Sequence, residues 1–184
     1  MDKKGMSKIV IVVIIVAILA VSSIAVYLAM SGGTDDGVNG NGDTSDTTDN
    51  GGTTVDVEGA SSLQFKVSVN SADAESMEYT YMVKNAGTSS LMMRIEMQSE
   101  SESFIYIING AQEKVWIYSG DEWIDFSDAY PTYWETWNSA MEGYQSSLLD
   151  WTGVGDWTYT TPNGEIRIYD ITINPSLADS LFQH

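Results

Sequence analysis

Leu91-Met-Met-Arg-Ile-Glu-Met97, Phe104-Ile-Tyr-Ile-Ile-Asn-Gly110 and Lys114-Val-Trp-Ile-Tyr118 decide the fold of this chain. In the first run Leu91, Met93, Ile95 and Met97 alternate with Met92, Arg94 and Glu96, the period of a half-buried strand. The second run is apolar almost without interruption, which predicts a strand covered on both faces. Asn109-Gly110 follows it as a hairpin signal, because both residue types accept positive φ. Short strands at close spacing, separated by turn residues, form an antiparallel meander.

The same texture extends in both directions. Upstream, Leu63, Phe65, Val67 and Val69 make one apolar face, and Met77, Tyr79, Tyr81 and Val83 the next, with Asn85-Ala-Gly87 as a turn. Downstream, Ser119-Gly-Asp121 turns the chain into Trp123–Phe126. Period 3.6 then takes over. Trp134, Trp137, Met141, Tyr144 and Leu148 share one face of a helix over 132–149, with Pro131 in its first turn and Asp128 as its cap. Strand texture returns at Trp157–Thr160, followed by a Thr161-Pro-Asn-Gly164 turn and a long strand over 165–173. There Ile166 and Ile168 change phase to Tyr169, Ile171 and Ile173, which requires either a bulge or two covered faces. Asn174-Pro175 leads into a closing turn or short helix through Phe182. The expected domain is mainly β (α+β), a curved antiparallel sheet of about eight strands with one inserted amphipathic helix, over residues 61–184. One helix covers eight strands incompletely, so a partly open concave apolar surface is expected.

Ahead of this domain lie segments of different character. Residues 9–30 form an apolar run broken only by Ser22, Ser23 and Tyr27, and as a helix they span roughly 33 Å, enough for a hydrocarbon core. Lys3, Lys4 and Lys8 precede it and Asp35 and Asp36 follow, which places residues 1–8 in the cytoplasm and the body outside. The reading is a single-pass signal-anchor in the cell membrane. Cleavage as a secretory signal is the alternative, although the run is long and Ala25–Ser31 is a poor processing site. A pilin-type signal is a third, because Lys3-Lys4-Gly5 precedes the apolar run as in archaeal pilin precursors. Residues 31–60 read as a disordered, acidic Gly/Thr/Asp linker, since little in them can bury surface to offset chain entropy.

Composition removes whole classes of function. The chain has 184 residues, 8 Lys+Arg against 26 Asp+Glu, a net charge of −18, one His and no Cys. Clustered cations for phosphate are missing, which argues against nucleic-acid partners. Without Cys there is no disulfide, thiol nucleophile, Cys-ligated zinc or lipid-bearing cysteine. The single His, His184, leaves a Ser-His-Asp triad without a credible base. Asp121, Glu122, Asp125 and Asp128 match no calcium loop and read as a solvated acidic rim. No carboxylate pair stands out for glycoside chemistry. No enzyme activity, cofactor or metal is expected.

The three runs quoted above, with Trp123 and the tail Asp170-Ile-Thr-Ile-Asn-Pro-Ser-Leu-Ala-Asp-Ser-Leu-Phe182, resemble the strand and turn patterns of LolA-like outer-membrane lipoprotein carriers. The resemblance covers roughly residues 61–182 and implies a half-barrel whose hollow shelters acyl chains beneath helices. It implies a lipid or a lipidated protein as partner, with the membrane itself engaged through residues 9–30. A tethered member acts at its own membrane and does not diffuse between two. The residues expected to line the apolar cleft are Met93, Met97, Trp116, Trp134, Trp137, Met141 and Tyr144. Methionine and aromatic side chains suit adaptable apolar sites, and they equally suit a plain core. The alternative function is therefore a structural or interaction head, with a closed core, of a cell-envelope or pilin-like assembly.

Overall fold

The computed structural model describes residues 56–71, 74–100, 102–161 and 164–184. The expectations for residues 1–55, the membrane anchor among them, lie outside this set. No helix among the described residues is long and apolar enough to cross a membrane.

Eight antiparallel strands form one sheet: β1 (Ser62–Ser71), β2 (Ala74–Lys84), β3 (Met92–Gln98), β4 (Ser103–Asn109), β5 (Lys114–Ser119), β6 (Glu122–Asp125), β7 (Trp157–Thr161) and β8 (Gly164–Ile173). Their spatial order is β6-β5-β4-β3-β2-β1-β8-β7, so the meander runs through the first six. The β7–β8 hairpin then returns to the free side of β1. The sheet is not closed, since β6 and β7 are its two edges. Helix α1 (Tyr130–Ser147) connects β6 to β7, entered through a 3-10 turn at Ser127–Ala129 and left through another at Leu148–Asp150.

Alternation divides the sheet into two faces. One carries the cross-strand row Phe65, Tyr81, Ile95, Tyr106 and Ile117, all buried, with Phe65 and Tyr81 stacked at 5.1 Å. Helix α1 lies on this face and buries Tyr133, Trp137, Ala140, Met141 and Tyr144, with Leu148 following in the next turn. Pro131 occupies the first helical turn as expected. Asp128 is not the cap: Ala129 holds the N-cap position without a side-chain bond, because Asp128 is already wound into the preceding 3-10 turn.

The phase change in β8 is a bulge. Gln64 pairs with Thr172 and Lys66 with Tyr169, so Asp170 and Ile171 together oppose Phe65. Asp170 takes up the extra residue at φ 52°. The bulge turns Ile171 and Ile173 back to the core side occupied by Ile166 and Ile168. It leaves Tyr169 on the outer face, where its hydroxyl donates to Glu78 at 2.6 Å and Arg167 lies over its ring at 4.6 Å.

The outer face has a smaller apolar centre that explains the continuous run in β4. Ile107 points away from α1 and is buried, and Phe182 of the C-terminal segment is buried on the same side. Lys84 pairs with Asp179 and donates to the Leu177 carbonyl, and Arg94 reaches the Leu181 carbonyl. Ser61 and Ser62 are fixed to Asn174, whose Oδ1 accepts both backbone N–H groups at 2.8 and 3.3 Å.

Two local expectations are revised. The hairpin signalled by Asn109-Gly110 forms between β4 and β5, but neither residue takes positive φ, which falls on Glu113 at the end of a four-residue connection. Glycine is needed at 110 for a different reason: a Cβ there would lie 2.8 Å from the Leu91 carbonyl and from the Trp134 ring. The domain also begins before the change of texture at Ser61. Val57 and Ala60 join the core, at 2 % and 4 % exposure, and the Val57 carbonyl accepts from Gln145 of α1.

Candidate functional site

The interface of α1 with the sheet is the place where apolar and polar chemistry meet. Met93 and Met97 rise from β3 because alternation turns them to the same side as Ile95. Trp137, Met141 and Tyr144 descend from α1 at steps of four and three, which keeps them on one helix face. The structure thus brings together five of the seven expected residues, and each is at most 6 % exposed.

The other two fall elsewhere. Trp134 is half-buried at the rim, against Gly110 and at 5.6 Å from the Tyr130 ring, while Tyr133 takes the inward position of that turn. Trp116 alternates with Val115 and Ile117 and so stands on the outer face, beside His184. It belongs to an aromatic group in which His184 stacks on Trp123 at 4.9 Å.

Between α1 and the sheet the space is filled by rings. Trp137 contacts Tyr106 at 5.0 Å, Tyr81 at 6.0 Å and Tyr79 at 6.4 Å, and Tyr144 contacts Tyr81 at 5.4 Å. Sequence reasoning named Trp137 and Tyr144 and missed Tyr79, Tyr81 and Tyr106. Their in-phase positions on β2 and β4 were the available signal.

The packing is not fully satisfied. Tyr81 Oη, Tyr106 Oη and Trp137 Nε1 are buried without a hydrogen-bond partner. The Tyr144 hydroxyl neighbours Tyr81 Oη and does not meet it in hydrogen-bond geometry. Tyr79 differs, since its hydroxyl donates to the Met77 sulfur at 3.0 Å. A buried polar group without a partner costs about 1–3 kcal/mol. Burial pushes the hydroxyls of Tyr79, Tyr81, Tyr106 and Tyr144 well above the ordinary tyrosine value of 10.0. Among the described residues no cation faces this interior, because Lys66, Lys84, Arg94, Lys114 and Arg167 alternate onto the outer face.

Three surface hollows lie away from the interface. One of about 650 Å³ runs between Trp151–Asp156 and the β8 bulge. Another of about 680 Å³ lies under the C-terminal segment beside Trp116, and a third of about 320 Å³ separates Glu58 and Ala60 from the end of α1. In the acidic rim, Asp125 accepts from Ser127 N at 2.8 Å, and these Ser127 bonds hold its carboxyl below the usual value. Among the described residues no three His, Cys, Asp or Glu side chains are grouped to hold a metal ion.

Fold and site together define an unclosed antiparallel sheet with one helix packed on one face, sealed by aromatic and methionine side chains. No protein family, curated protein or solved structure matches this chain.

Proposed function

We propose that the chain is a membrane-tethered, extracytoplasmic binding protein without catalytic activity, which holds a lipid or other apolar ligand between α1 and the sheet. The single observation that supports this reading is the trio Tyr81 Oη, Tyr106 Oη and Trp137 Nε1, sealed at the centre of the interface without partners. A core selected for stability alone has no use for three such groups. A ligand entering beneath the helix supplies apolar contact to Met93, Met97 and Met141 and an acceptor to the trio. On this reading α1 moves on its two connectors to admit the ligand.

The test joins native mass spectrometry and solvent extraction of the full chain with the variant Tyr106→Phe. The expected result is one apolar molecule per chain in the parent. Tyr106→Phe gains stability, because it removes an unpaired hydroxyl, and loses bound ligand. A ligand-free parent, with Tyr106→Phe altering stability alone, overturns the reading.

The second reading is an interaction head with a permanently closed core, and the near-zero exposure of Met93, Trp137, Met141 and Tyr144 favours it. N-terminal sequencing of the mature protein divides its forms. Cleavage after Gly5 supports a pilin-like assembly, and an intact N-terminus supports a plain anchor.

A further inference from the structure

The two edges of the sheet are built on opposite principles. β6 has four residues, two of them the exposed acids Glu122 and Asp125, and Asp121 and Asp128 flank it. Charge on a short edge strand is a standard barrier to pairing with another chain. β7, Trp-Thr-Tyr-Thr-Thr over 157–161, has no charge and no proline, and every residue in it is a good strand former. Its inner side is fully paired with β8, from Trp157 opposite Ile168 to Thr161 opposite Gly164. No backbone hydrogen bond reaches its outer side among the described residues. Trp157 and Tyr159 stack at 6.3 Å on the core face and are half-buried, so among the described residues the apolar layer stops at this edge without a cover.

We propose that β7 is a self-pairing edge: two copies of this chain associate by antiparallel β7–β7 addition about a two-fold axis, joining their sheets. A strand without charge, whose flanking Asp156 is paired with Arg167, is what lets two strongly acidic bodies approach there, where any added acid would repel its own copy. Antiparallel pairing sets threonines opposite threonines on the exposed face, and it brings the Trp157–Tyr159 stack against its counterpart. Cross-strand pairs of both kinds are favourable. The contact is small. One five-residue edge covers well below the ~800 Å² per partner of a stable interface, so the pairing is weak and reversible. It is also salt-dependent in an unusual direction. The net charge of −18 per chain opposes association until screening shortens its reach from about 10 Å at 0.1 M salt to about 3 Å at 1 M.

The absence of cysteine allows a clean test. Thr158→Cys, Thr160→Cys and, as control, Glu122→Cys are introduced singly into the full chain in non-ionic detergent, and disulfide dimers are followed after mild oxidation. Thr158→Cys alone, Thr160→Cys alone or, where the strands pair about Tyr159 and Thr158 faces Thr160 of the other copy, a 1:1 mixture of the two is expected to cross-link about tenfold faster than Glu122→Cys, with the advantage growing between 0.1 and 1 M NaCl. Thr158→Lys in the Thr160→Cys background is expected to bring the rate down to the control. Thr158→Glu serves the same purpose if circular dichroism shows that the lysine variant is misfolded. The proposal is overturned if both β7 positions and their mixture cross-link no faster than Glu122→Cys. It is equally overturned if salt leaves the rates unchanged, or if the charged variants fold and still cross-link.

Discussion

Raising the pH above 10 attacks this fold through its tyrosines. Tyr79, Tyr81, Tyr106 and Tyr144 hold their protons well above the ordinary value of 10.0, and burial is the leading cause for each. In the unfolded chain the same hydroxyls ionise near 10. Below pH 10 both states keep the protons and the fold loses nothing. Above it the unfolded state releases protons that the folded state retains, so stability falls as pH rises. Each protected tyrosine contributes a slope of about 1.4 kcal/mol per pH unit, and four together about 5–6. A domain with a stability of about 5–15 kcal/mol is therefore exhausted about one to two and a half units above pH 10. The assay follows phenolate absorbance and far-ultraviolet circular dichroism through the same alkaline titration. The buried tyrosines are expected to ionise in one cooperative step that coincides with loss of strand signal. Gradual ionisation of all tyrosines around pH 10, with circular dichroism unchanged, would refute the sealed interface.

Two further perturbations probe packing. Gly110→Ala drives a methyl into the Leu91 carbonyl and the Trp134 ring, and denaturant unfolding is expected to show a loss of about 1–3 kcal/mol; an unchanged midpoint counts against the close approach. Phe182→Ala empties the outer-face centre over Ile107 and is expected to cost about 3–5 kcal/mol by the same measurement. It should also speed proteolysis within residues 175–184, and equal cleavage in parent and variant would show that the segment is not held by Phe182.

Much of this architecture was legible because period two dominates the sequence. The alternation in β1, β2 and β3 assigns each side chain to a face without ambiguity. The three-residue step from Ile168 to Ile171 revealed a break in phase, and the bulge at Asp170 resolved it. The candidate site was readable where the helical period is firm, at Trp137, Met141 and Tyr144. It was misread at the first turn, where Tyr133 and Trp134 are adjacent aromatics 100° apart and composition cannot say which faces inward. Trp116 was grouped by residue type although its neighbours Val115 and Ile117 already placed it on the opposite face. The outer-face centre was beyond reach for another reason. The segment Pro175–His184 has no period, and its position depends on a few side-chain bonds of Asn174, Ser62, Lys84 and Arg94. Unpaired donors are likewise invisible in sequence, since they arise from what a neighbouring side chain fails to offer.

The strand order has a consequence for how the domain assembles. Strands β1 to β6 pair with their sequence neighbours and can zip as they leave the ribosome or a translocation pore. β1 is then half complete, because its second partner, β8, begins at Gly164, more than 90 residues downstream. Closing that distance is the slow, entropically costly step of the topology. Until it happens the chain presents Phe65 and Val67 beside an open row of peptide groups, in a crowded compartment and with neighbours of identical sequence. Residues 164–184 seal this interval: β8 occupies the vacant side, and Asn174 ties its end to Ser61 and Ser62. A chain interrupted before Gly164 has most of its strands and none of its closure, so its fate is set by the proteases and chaperones that meet it first.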